Sequence, residues 1–403
     1  MSGRIFMQRG FASDSIARIS PAARTSYSHA TGLSFLFTDA SGIAMKAAIL
    51  LPSRQQESTS GKANLPPMWR ETAEMKQLLP RLAGGSSLSG NARSGQENSP
   101  GCQTQSRDRD NRQGGAMLKI VGYHKRTWPF GPATLQEAAA HFDVKGLSVA
   151  GSYSLHTEYA AGCRQFRNTA LNALGAITAA HQRGIPQLWK SKEWANQFAA
   201  FVIELTQEAM PPEVIEIHPP FNDYCPSFSD LILRYKAFES EIARVYPSSL
   251  IVIENRHGTR YTGGKFLVSR REDLLALTDL LDATDLSLNL CLDVPQLFSA
   301  HFGPAPRTED DIDRVLTPLM ECRHRITSVH MWGKKRNKRG GMQAHYGTLD
   351  TWLGPELKRH LLRRLHELLD DDRTRYFVPE VNGSQSDMDA LAKDMIEAGF
   401  TFC

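Results

Sequence analysis

Four apolar runs in the second half of the sequence each end on a side chain that can bind a metal ion or move a proton. The four residues are Glu254, Asp293, His330 and Glu380. They are separated by 39, 37 and 50 residues, and each interval is about the length of one strand–helix unit. Two glutamates, one aspartate and one histidine form an oxygen and nitrogen ligand set that suits Mn²⁺, Mg²⁺, Co²⁺ or Zn²⁺. The pattern predicts a divalent metal site with one ligand from each of four strands.

A fifth apolar run ends at His218. One such residue is weak evidence, because a histidine or glutamate at a strand end more often anchors a loop by hydrogen bonds. Five in succession are stronger evidence if the strands are parallel, since parallel strands direct their ends at one face. Carboxylates crowded at that face repel one another. A divalent cation between them would remove the repulsion.

Strand-like and helix-like segments alternate through residues 117–403 and must position these side chains. Apolar runs predict eight strands, at 118–124, 146–152, 185–191, 213–219, 250–256, 288–294, 326–332 and 375–381. Amphipathic stretches such as residues 192–209, with Trp194, Phe198 and Phe201 on one face, predict helices between them. This order predicts an α/β fold, a (β/α)8 TIM barrel. An open doubly wound sheet is the alternative, but no glycine fingerprint follows the first strand.

Residues 1–116 have a different composition. They show little hydrophobic periodicity, and residues 84–115 are rich in Gly, Ser, Asn, Gln and Arg, which cannot bury a core. We expect a low-complexity N-terminal extension, largely disordered or dispensable, before a domain that starts at Met117. The extension holds 14 Lys/Arg and 8 Asp/Glu, which leaves 33 and 35 for residues 117–403. A body with that balance is not expected to bind polyanions over its whole surface.

The cysteines and the apolar runs indicate the environment of the protein. None of the six cysteines lies in a Cys-x-x-Cys pair, so a thiolate zinc site is not expected. Scattered cysteines are typical of reduced thiols in the cytoplasm. No apolar run approaches the ~18 residues that a membrane span needs. We expect a cytoplasmic protein without a membrane partner, whose oligomeric state the sequence leaves open.

Five short motifs carry a family resemblance. They are IENR, CLDVPQ, VHMWG with the later AHYGTLD, and PEVN. They resemble the xylose-isomerase-like TIM barrels, a superfamily that includes sugar isomerases, ketose 3-epimerases and AP endonucleases of the endonuclease IV type. The resemblance covers roughly residues 117–403. It implies metal binding by Glu254, Asp293, His330 and Glu380.

The resemblance to the endonuclease branch is incomplete. That branch binds three zinc ions with further ligands, and His218 and His345 match two of those positions. Three other positions differ. Gln296 and Lys190 stand where histidines are expected, and Gln343 stands where an aspartate is expected. The single-metal ligand set of the isomerase and epimerase branch is complete, so the resemblance favours that branch.

The leading hypothesis is a metal-dependent isomerase or epimerase that acts on a sugar or sugar phosphate through an enediolate. The metal would polarise the substrate carbonyl, and Glu254 and Glu380, on separate strands, would move protons on opposite faces. In the epimerases that the chain resembles, two glutamates are both ligands and acid/base groups. His218, Arg256 and Lys190 are candidates for holding substrate oxygens. Arg256 is equally suited to pair with a neighbouring acid.

Two other hypotheses follow from the basic run Lys334–Arg339 and from the fold. The run would attract the backbone of DNA if the protein is a metal-dependent, AP-endonuclease-like phosphodiesterase. Its flanking aromatics, Trp332 and Tyr346, are too few to predict base stacking, and charge runs are commonly solvated loops. A non-catalytic relative that binds a metabolite is the third hypothesis. Fold alone does not separate these, because TIM barrels host many chemistries.

We predict that a chain starting at Met117 keeps the stability and activity of the full chain, because the preceding residues lack the composition of a core. Thermal unfolding and turnover of the two proteins, measured side by side, check this. A lower melting temperature or a lower turnover of the shorter protein would show that residues 1–116 contribute to the fold or the site.

Overall fold

The computed structural model describes residues 33–38, 44–49, 115–124, 126–160, 169–180 and 186–403. The chain divides into residues 1–102 and 103–403, and each part is described by itself. In the first part, β1 (Leu33–Thr38) and β2 (Ala44–Ile49) form an antiparallel pair. The rest of the predicted extension, up to residue 114, lies outside the described residues.

Eight parallel strands close into a barrel in the second part, which confirms the predicted (β/α)8 fold. In chain order the barrel strands are β3 (Met117–Gly122), β4 (Leu135–Ala140), β5 (Tyr153–Thr157), β6 (Val214–Ile217), β7 (Leu250–Glu254), β8 (Asn289–Asp293), β9 (Ile326–Met331) and β12 (Thr374–Pro379). The barrel closes where β12 pairs with β3. The antiparallel hairpin of β10 (Lys334–Arg336) and β11 (Met342–Ala344) follows β9, and β13 (Thr401–Phe402) lies beside β3.

Helices and irregular segments connect the strands. The helices are α1 (Gly175–Ala180), α2 (Lys192–Thr206), α3 (Phe228–Val245), α4 (Arg271–Asp282), α5 (Val294–Phe302), α6 (Glu309–Leu316), α7 (Leu349–Leu353), α8 (Pro355–Leu369) and α9 (Gln385–Glu397). Short 3-10 turns lie at Thr169–Ala173, Thr317–Glu321 and Arg323–Arg325. The predicted apolar face of α2 is confirmed, since Trp194, Phe198 and Phe201 are buried. In the described part of the chain, no helix combines the length and apolarity that crossing a membrane requires.

Two of the eight predicted strands are wrong. The second and third barrel strands are β4 and β5, whereas the predicted segments were 146–152 and 185–191. The sequence of β4 is LQEAAA, whose residues are poor strand formers, and pairing with β3 and β5 overrides that preference. Residues 185–191 are apolar for another reason. Leu188 and Trp189 are buried, and the Trp189 indole donates to the His218 carbonyl oxygen at 2.7 Å.

Inward-facing residues alternate along each barrel strand and form layers inside the barrel. On β7 and β8, Val252 and Cys291 belong to an apolar layer. Two positions later on the same strands, Glu254 and Asp293 belong to a polar layer. Because the strands are parallel, this polar layer lies at their C-terminal ends, the face at which TIM barrels place their sites.

A buried arginine fixes the last barrel strand at the opposite end. The Arg375 side chain is fully buried and pairs with Asp371 through two nitrogen–oxygen contacts of 2.8 Å. It also donates to the carbonyl oxygens of Ile326 and Leu369, again at 2.8 Å. These contacts join the start of β12 to the start of β9. The two strands therefore keep a fixed register up to the ends that carry predicted ligands.

We predict that Arg375→Leu lowers the free energy of unfolding by about 3–5 kcal/mol, because it leaves the Asp371 carboxylate without its buried partner. Urea denaturation followed by circular dichroism measures the change. Arg373→Leu is the matched control. Arg373 is exposed and lies 3.9 Å from the same carboxylate, so a change within ~0.5 kcal/mol is expected. Equal destabilisation by both substitutions would contradict the anchoring role of Arg375.

Candidate metal centre

The four predicted ligands lie together at the C-terminal end of the barrel. Glu254, Asp293 and His330 each place one ligand atom within 4.8 Å of the other two, and all three are buried. Glu380 adjoins them through His330, whose Nδ1 lies 3.3 Å from Oε1 of Glu380. The closed barrel thus brings together the strand ends that are far apart in the sequence.

Asp293 is held by neighbouring side chains. It is the last residue of β8 and the N-cap of α5, and its Oδ1 accepts the backbone N–H of Gln296 at 2.8 Å. The Asn255 amide exchanges two hydrogen bonds with the Asp293 backbone, at 2.9 and 3.0 Å. The second carboxylate oxygen accepts from the Gln296 amide at 2.7 Å and from the Trp332 indole at 3.1 Å. These donors fix the orientation of the carboxylate without neutralising its charge.

Three side chains surround the carboxylate of Glu254. Arg256 Nη1 lies 3.0 and 2.8 Å from its two oxygens. Gln296 Nε2 lies 2.5 Å from Oε1, and His218 Nε2 lies 2.7 Å from Oε2. Burial raises the pKa of Glu254, but Arg256 and His218 outweigh burial and hold that pKa well below its ordinary value. Arg256 therefore takes the acid-pairing role, one of the two roles that the sequence left open.

Glu216 is a site residue that sequence analysis missed. It lies two residues before His218 and therefore faces the same side of β6, into the barrel. Its carboxylate oxygens lie 2.9 Å from His330 Nε2, 3.6 Å from His156 Nδ1 and 3.8 Å from His218 Nε2. The sequence could have identified Glu216, because in EIHPP it lies two residues before His218 and side chains at that spacing share one face of a strand.

The third strand contributes His156, whereas the prediction assigned Lys190 to its end. The misplaced strand caused this error, because the true third strand ends one residue after His156. His156 Nδ1 lies 2.8 Å from Oε1 of Glu137 on β4. Lys190 is solvent-exposed and donates to Gln187 at 2.6 Å.

Several buried polar atoms of these side chains have no hydrogen-bond partner among the described residues. They are Glu216 Oε1, His218 Nε2, Glu380 Oε2 and both ring nitrogens of His330. Short separations, such as the 2.7 Å between His218 and Glu254, lack the alignment of a hydrogen bond. Unsatisfied polar atoms are costly away from water. A divalent cation satisfies carboxylate oxygens and imidazole nitrogens together, so these residues fit a metal.

The buried acids repel one another. Burial, together with the neighbouring Glu254 and Glu380, raises the pKa of Asp293 well above its ordinary value. At Glu380 burial acts in the same direction, but His330 outweighs it and lowers the pKa to about 2. A cation next to Asp293 would remove the repulsion and keep its carboxylate ionised. The charge distribution therefore also fits a metal.

A second group of ligand atoms adjoins the first. His156, Glu216, His218 and Glu254 also place ligand atoms within 4.8 Å of one another, and Glu254 belongs to both groups. The two groups and Glu380 exceed the four to six ligands that one small divalent cation takes. The donors therefore fit two cations that share Glu254. We call the combined set the candidate metal centre: His156, Glu216, His218, Glu254, Asp293, His330 and Glu380.

His345, predicted as a further ligand, lies beside the candidate metal centre. Its Nδ1 lies 3.1 Å from the carbonyl oxygen of Glu380 and 3.5 Å from Oε2 of the same residue. The ring stacks on Trp332 with the ring centres 4.0 Å apart, and its backbone φ of 61° lies in the left-handed region. No group of mutually close ligand atoms among the described residues includes His345. Its contacts place it to orient Glu380.

Two adjoining cavities lie over the candidate metal centre. Their volumes are about 370 and 390 Å³, and both have Arg256, Gln296 and His345 in their walls. The larger cavity also reaches His156 and Glu380. A substrate in this space would therefore contact metal ligands and the partly buried guanidinium of Arg256.

No protein family model and no curated protein matches this chain. Among solved structures, the crystal structure of AsfvAP:AG is 13% identical with a TM-score of 0.39, over 70% of this chain and 98% of that chain. PbGH5A, a glycoside hydrolase family 5 enzyme from Prevotella bryantii B14, is 8% identical with a TM-score of 0.35, over 61% and 70%. The GH53 catalytic domain of Ignisphaera aggregans is 12% identical with a TM-score of 0.32, over 56% and 73%. At these scores the likenesses support no conclusion about family or function.

We predict that the full chain binds two divalent cations. After removal of metals and dialysis against Mn²⁺ or Zn²⁺, elemental analysis should give about two ions per chain, because the seven donors exceed the four to six ligands of one small cation. Asp293→Asn should lose one or both ions, and His156→Ala should lose one. Asp282→Asn is the control, since Asp282 is exposed and pairs with His324 and Arg325, and it should keep both.

The control and the His156 variant separate the possible failures of this prediction. One ion per chain, unchanged by His156→Ala, would contradict the second group while leaving the first in place. No bound ion in the wild-type protein would contradict both groups.

Proposed function

We propose that this protein is a metal-dependent phosphodiesterase that cleaves the backbone of a nucleic acid. The observation that carries the proposal is the second ligand group, His156, Glu216 and His218 with the shared Glu254. Sites for two neighbouring cations are typical of phosphoester hydrolysis, in phosphatases and nucleases. A divalent cation supplies Lewis acidity to a phosphoryl oxygen and acidifies a water molecule.

The surroundings of Glu254 also support hydrolysis over proton abstraction from carbon. An enediolate mechanism needs a carboxylate oxygen that faces the substrate and accepts its proton. Both oxygens of Glu254 are already in contact with Arg256, and one each with Gln296 and His218. These contacts hold the pKa of Glu254 well below its ordinary value, which makes this carboxylate a weak proton acceptor. Hydrolysis places no such demand on Glu254, whose role there is to bind metal.

Arg256 is the side chain placed to hold the substrate. It lines both cavities, and its guanidinium lies 5.6 Å from the centre of the Tyr159 ring. Arginine presents several N–H groups in one plane, so it can keep its contact with Glu254 and still bind phosphate oxygens. In this proposal Arg256 orients the phosphate over the candidate metal centre and offsets its negative charge.

A metal-dependent isomerase or epimerase of a sugar or sugar phosphate is the second candidate. It is favoured by the four side chains Glu254, Asp293, His330 and Glu380, which lie together at one end of the barrel. Glu380 also keeps one buried oxygen without a hydrogen-bond partner among the described residues, as a proton acceptor requires. This candidate leaves the second ligand group without a role, which places it behind the phosphodiesterase.

We predict that the full chain supplied with Mn²⁺, Co²⁺ or Zn²⁺ cleaves oligonucleotides, and that EDTA abolishes the cleavage. Single strands, duplexes and duplexes with one abasic site, resolved on denaturing gels, form the test panel. Asp293→Asn should lower the rate by about 10³-fold or more, because metal ligation supports several kcal/mol of transition-state stabilisation. Asp282→Asn should cleave at the wild-type rate.

A sugar-phosphate panel with the same protein separates the candidates. Isomerisation or epimerisation without nucleic acid cleavage, abolished by Glu254→Gln with the fold intact, would overturn the phosphodiesterase in favour of the second candidate. Binding of a metabolite with no turnover of either panel would overturn both and indicate a non-catalytic relative.

A further inference from the structure

The basic run of the sequence forms an ordered hairpin. β10 and β11 pair with Lys334 opposite Ala344 and Arg336 opposite Met342. The turn between them is closed by Asn337, whose backbone N–H donates to the Gly341 carbonyl at 2.8 Å and whose side chain accepts from the Gly341 N–H at 3.1 Å. The turn therefore presents the residues at its tip in a defined position.

The first lysine of the run anchors the hairpin to the barrel. Lys334 is buried, and its ammonium donates to Ser299 Oγ at 2.7 Å and to the carbonyl oxygens of Pro295 and Pro304 at 3.2 Å. It also lies 4.7 Å from the centre of the Trp352 ring. Pro295 and Ser299 belong to α5, the helix that begins directly after Asp293. The hairpin base is thus fixed to an element that also holds a metal ligand.

The other four cations of the run have no acidic partner. Lys335, Arg336, Lys338 and Arg339 are exposed, and none forms an ion pair with a residue that the structure describes. The sequence from Ile326 to Leu349 contains no Asp or Glu. The hairpin therefore presents concentrated positive charge, although residues 117–403 as a whole hold more acids than bases. Such a patch attracts a polyanion to one place on the surface.

The hairpin borders the path to the candidate metal centre. Met342 and Ala344 line one side of the 370 Å³ cavity, and His257 and Thr259 line another. Gln296, in the wall of the same cavity, contacts both Glu254 and Asp293. The hairpin therefore forms part of the wall of this cavity, next to a residue that contacts two predicted metal ligands.

The aromatic residues near the hairpin already contact other side chains of the protein. Tyr346 lies under the Lys335 ammonium, 5.4 Å from it, and Trp332 is buried against His345. Among the described residues of the hairpin, Lys334–Ala344, there is no aromatic ring on which a base could stack. The groups that face solvent are cations, which bind phosphates without reading bases.

We infer that this hairpin binds the phosphate backbone of a nucleic acid strand and seats it over the cavity, independently of base sequence. The inference rests on the proposed function, since it names the element that holds a polymeric substrate. A membrane surface or an acidic peptide would be attracted by the same charge. The nucleic acid is favoured because the hairpin borders a cavity that leads to phosphoester-cleaving residues, and because its tip from Asn337 to Gly341 carries no apolar side chain for insertion into lipid.

The test measures binding to fluorescein-labelled DNA. EDTA is present throughout, so that binding is measured without metal-dependent cleavage. The full chain is titrated into single strands and duplexes of about 20 nucleotides of mixed sequence, between about 50 and 200 mM salt. The variant Lys338→Ser with Arg339→Ser should weaken binding on the order of tenfold at low salt. It should reduce the slope of log affinity against log salt by about two, since each phosphate contact contributes about 0.9.

Arg359→Ser with Arg363→Ser is the matched control. Both arginines are exposed on α8, and the double variant removes the same charge, so affinity and slope should stay at the wild-type values. Equal loss in the two variants, strong dependence on base sequence, or binding of anionic vesicles but not DNA would each overturn the inference. If the hairpin variant reduces the slope of log affinity against log salt but the wild type cleaves no nucleic acid, this inference is sustained and the proposed phosphodiesterase fails. If the hairpin variant cleaves and binds DNA like the wild type, the proposed phosphodiesterase is sustained and this inference fails.

Discussion

Negative charge held away from water is the constraint on which the rest of this structure depends. Glu216, Glu254, Asp293 and Glu380 are buried at one end of the barrel, and a buried carboxylate without a partner is strongly destabilising. Against them the chain places the partly buried guanidinium of Arg256 and a set of histidines. Those groups leave Asp293 in repulsion and several ligand atoms unsatisfied. Divalent cations are the partners that would resolve both.

The same residues connect the interior of the barrel to the surface above it. Asp293 ends β8 and caps α5, and the Asn255 amide ties its backbone to the neighbouring strand. Six residues further along the chain, Ser299 of α5 accepts a hydrogen bond from the Lys334 ammonium and so holds the base of the basic hairpin. A displacement of α5 would therefore move a candidate ligand and the hairpin together. The candidate metal centre and the basic hairpin therefore share one support.

The four-ligand set alone allows both sugar isomerisation and phosphoester hydrolysis. The side chains around it favour one of the two. An isomerase needs a carboxylate basic enough to take a proton from carbon. Arg256, Gln296 and His218 contact Glu254, and its pKa is held well below its ordinary value. Phosphoester hydrolysis needs neighbouring cations and a positive approach for an anionic substrate. The second ligand group matches the first need. The hairpin cations, which form no ion pair with a described residue, match the second. For this reason we place the phosphodiesterase ahead of the isomerase.

The sequence by itself determined the barrel and the four strand-terminal residues Glu254, Asp293, His330 and Glu380, because an apolar run that ends on a polar residue is a local pattern. It failed at β4 and β5, where LQEAAA lacks strand-forming residues and is a strand only through its neighbours. Tertiary structure alone decided that His156 pairs in register with Glu216 and that both meet His330. Which inward-facing side chains meet depends on strand pairing and barrel closure. These are contacts between distant segments, and no single segment encodes them.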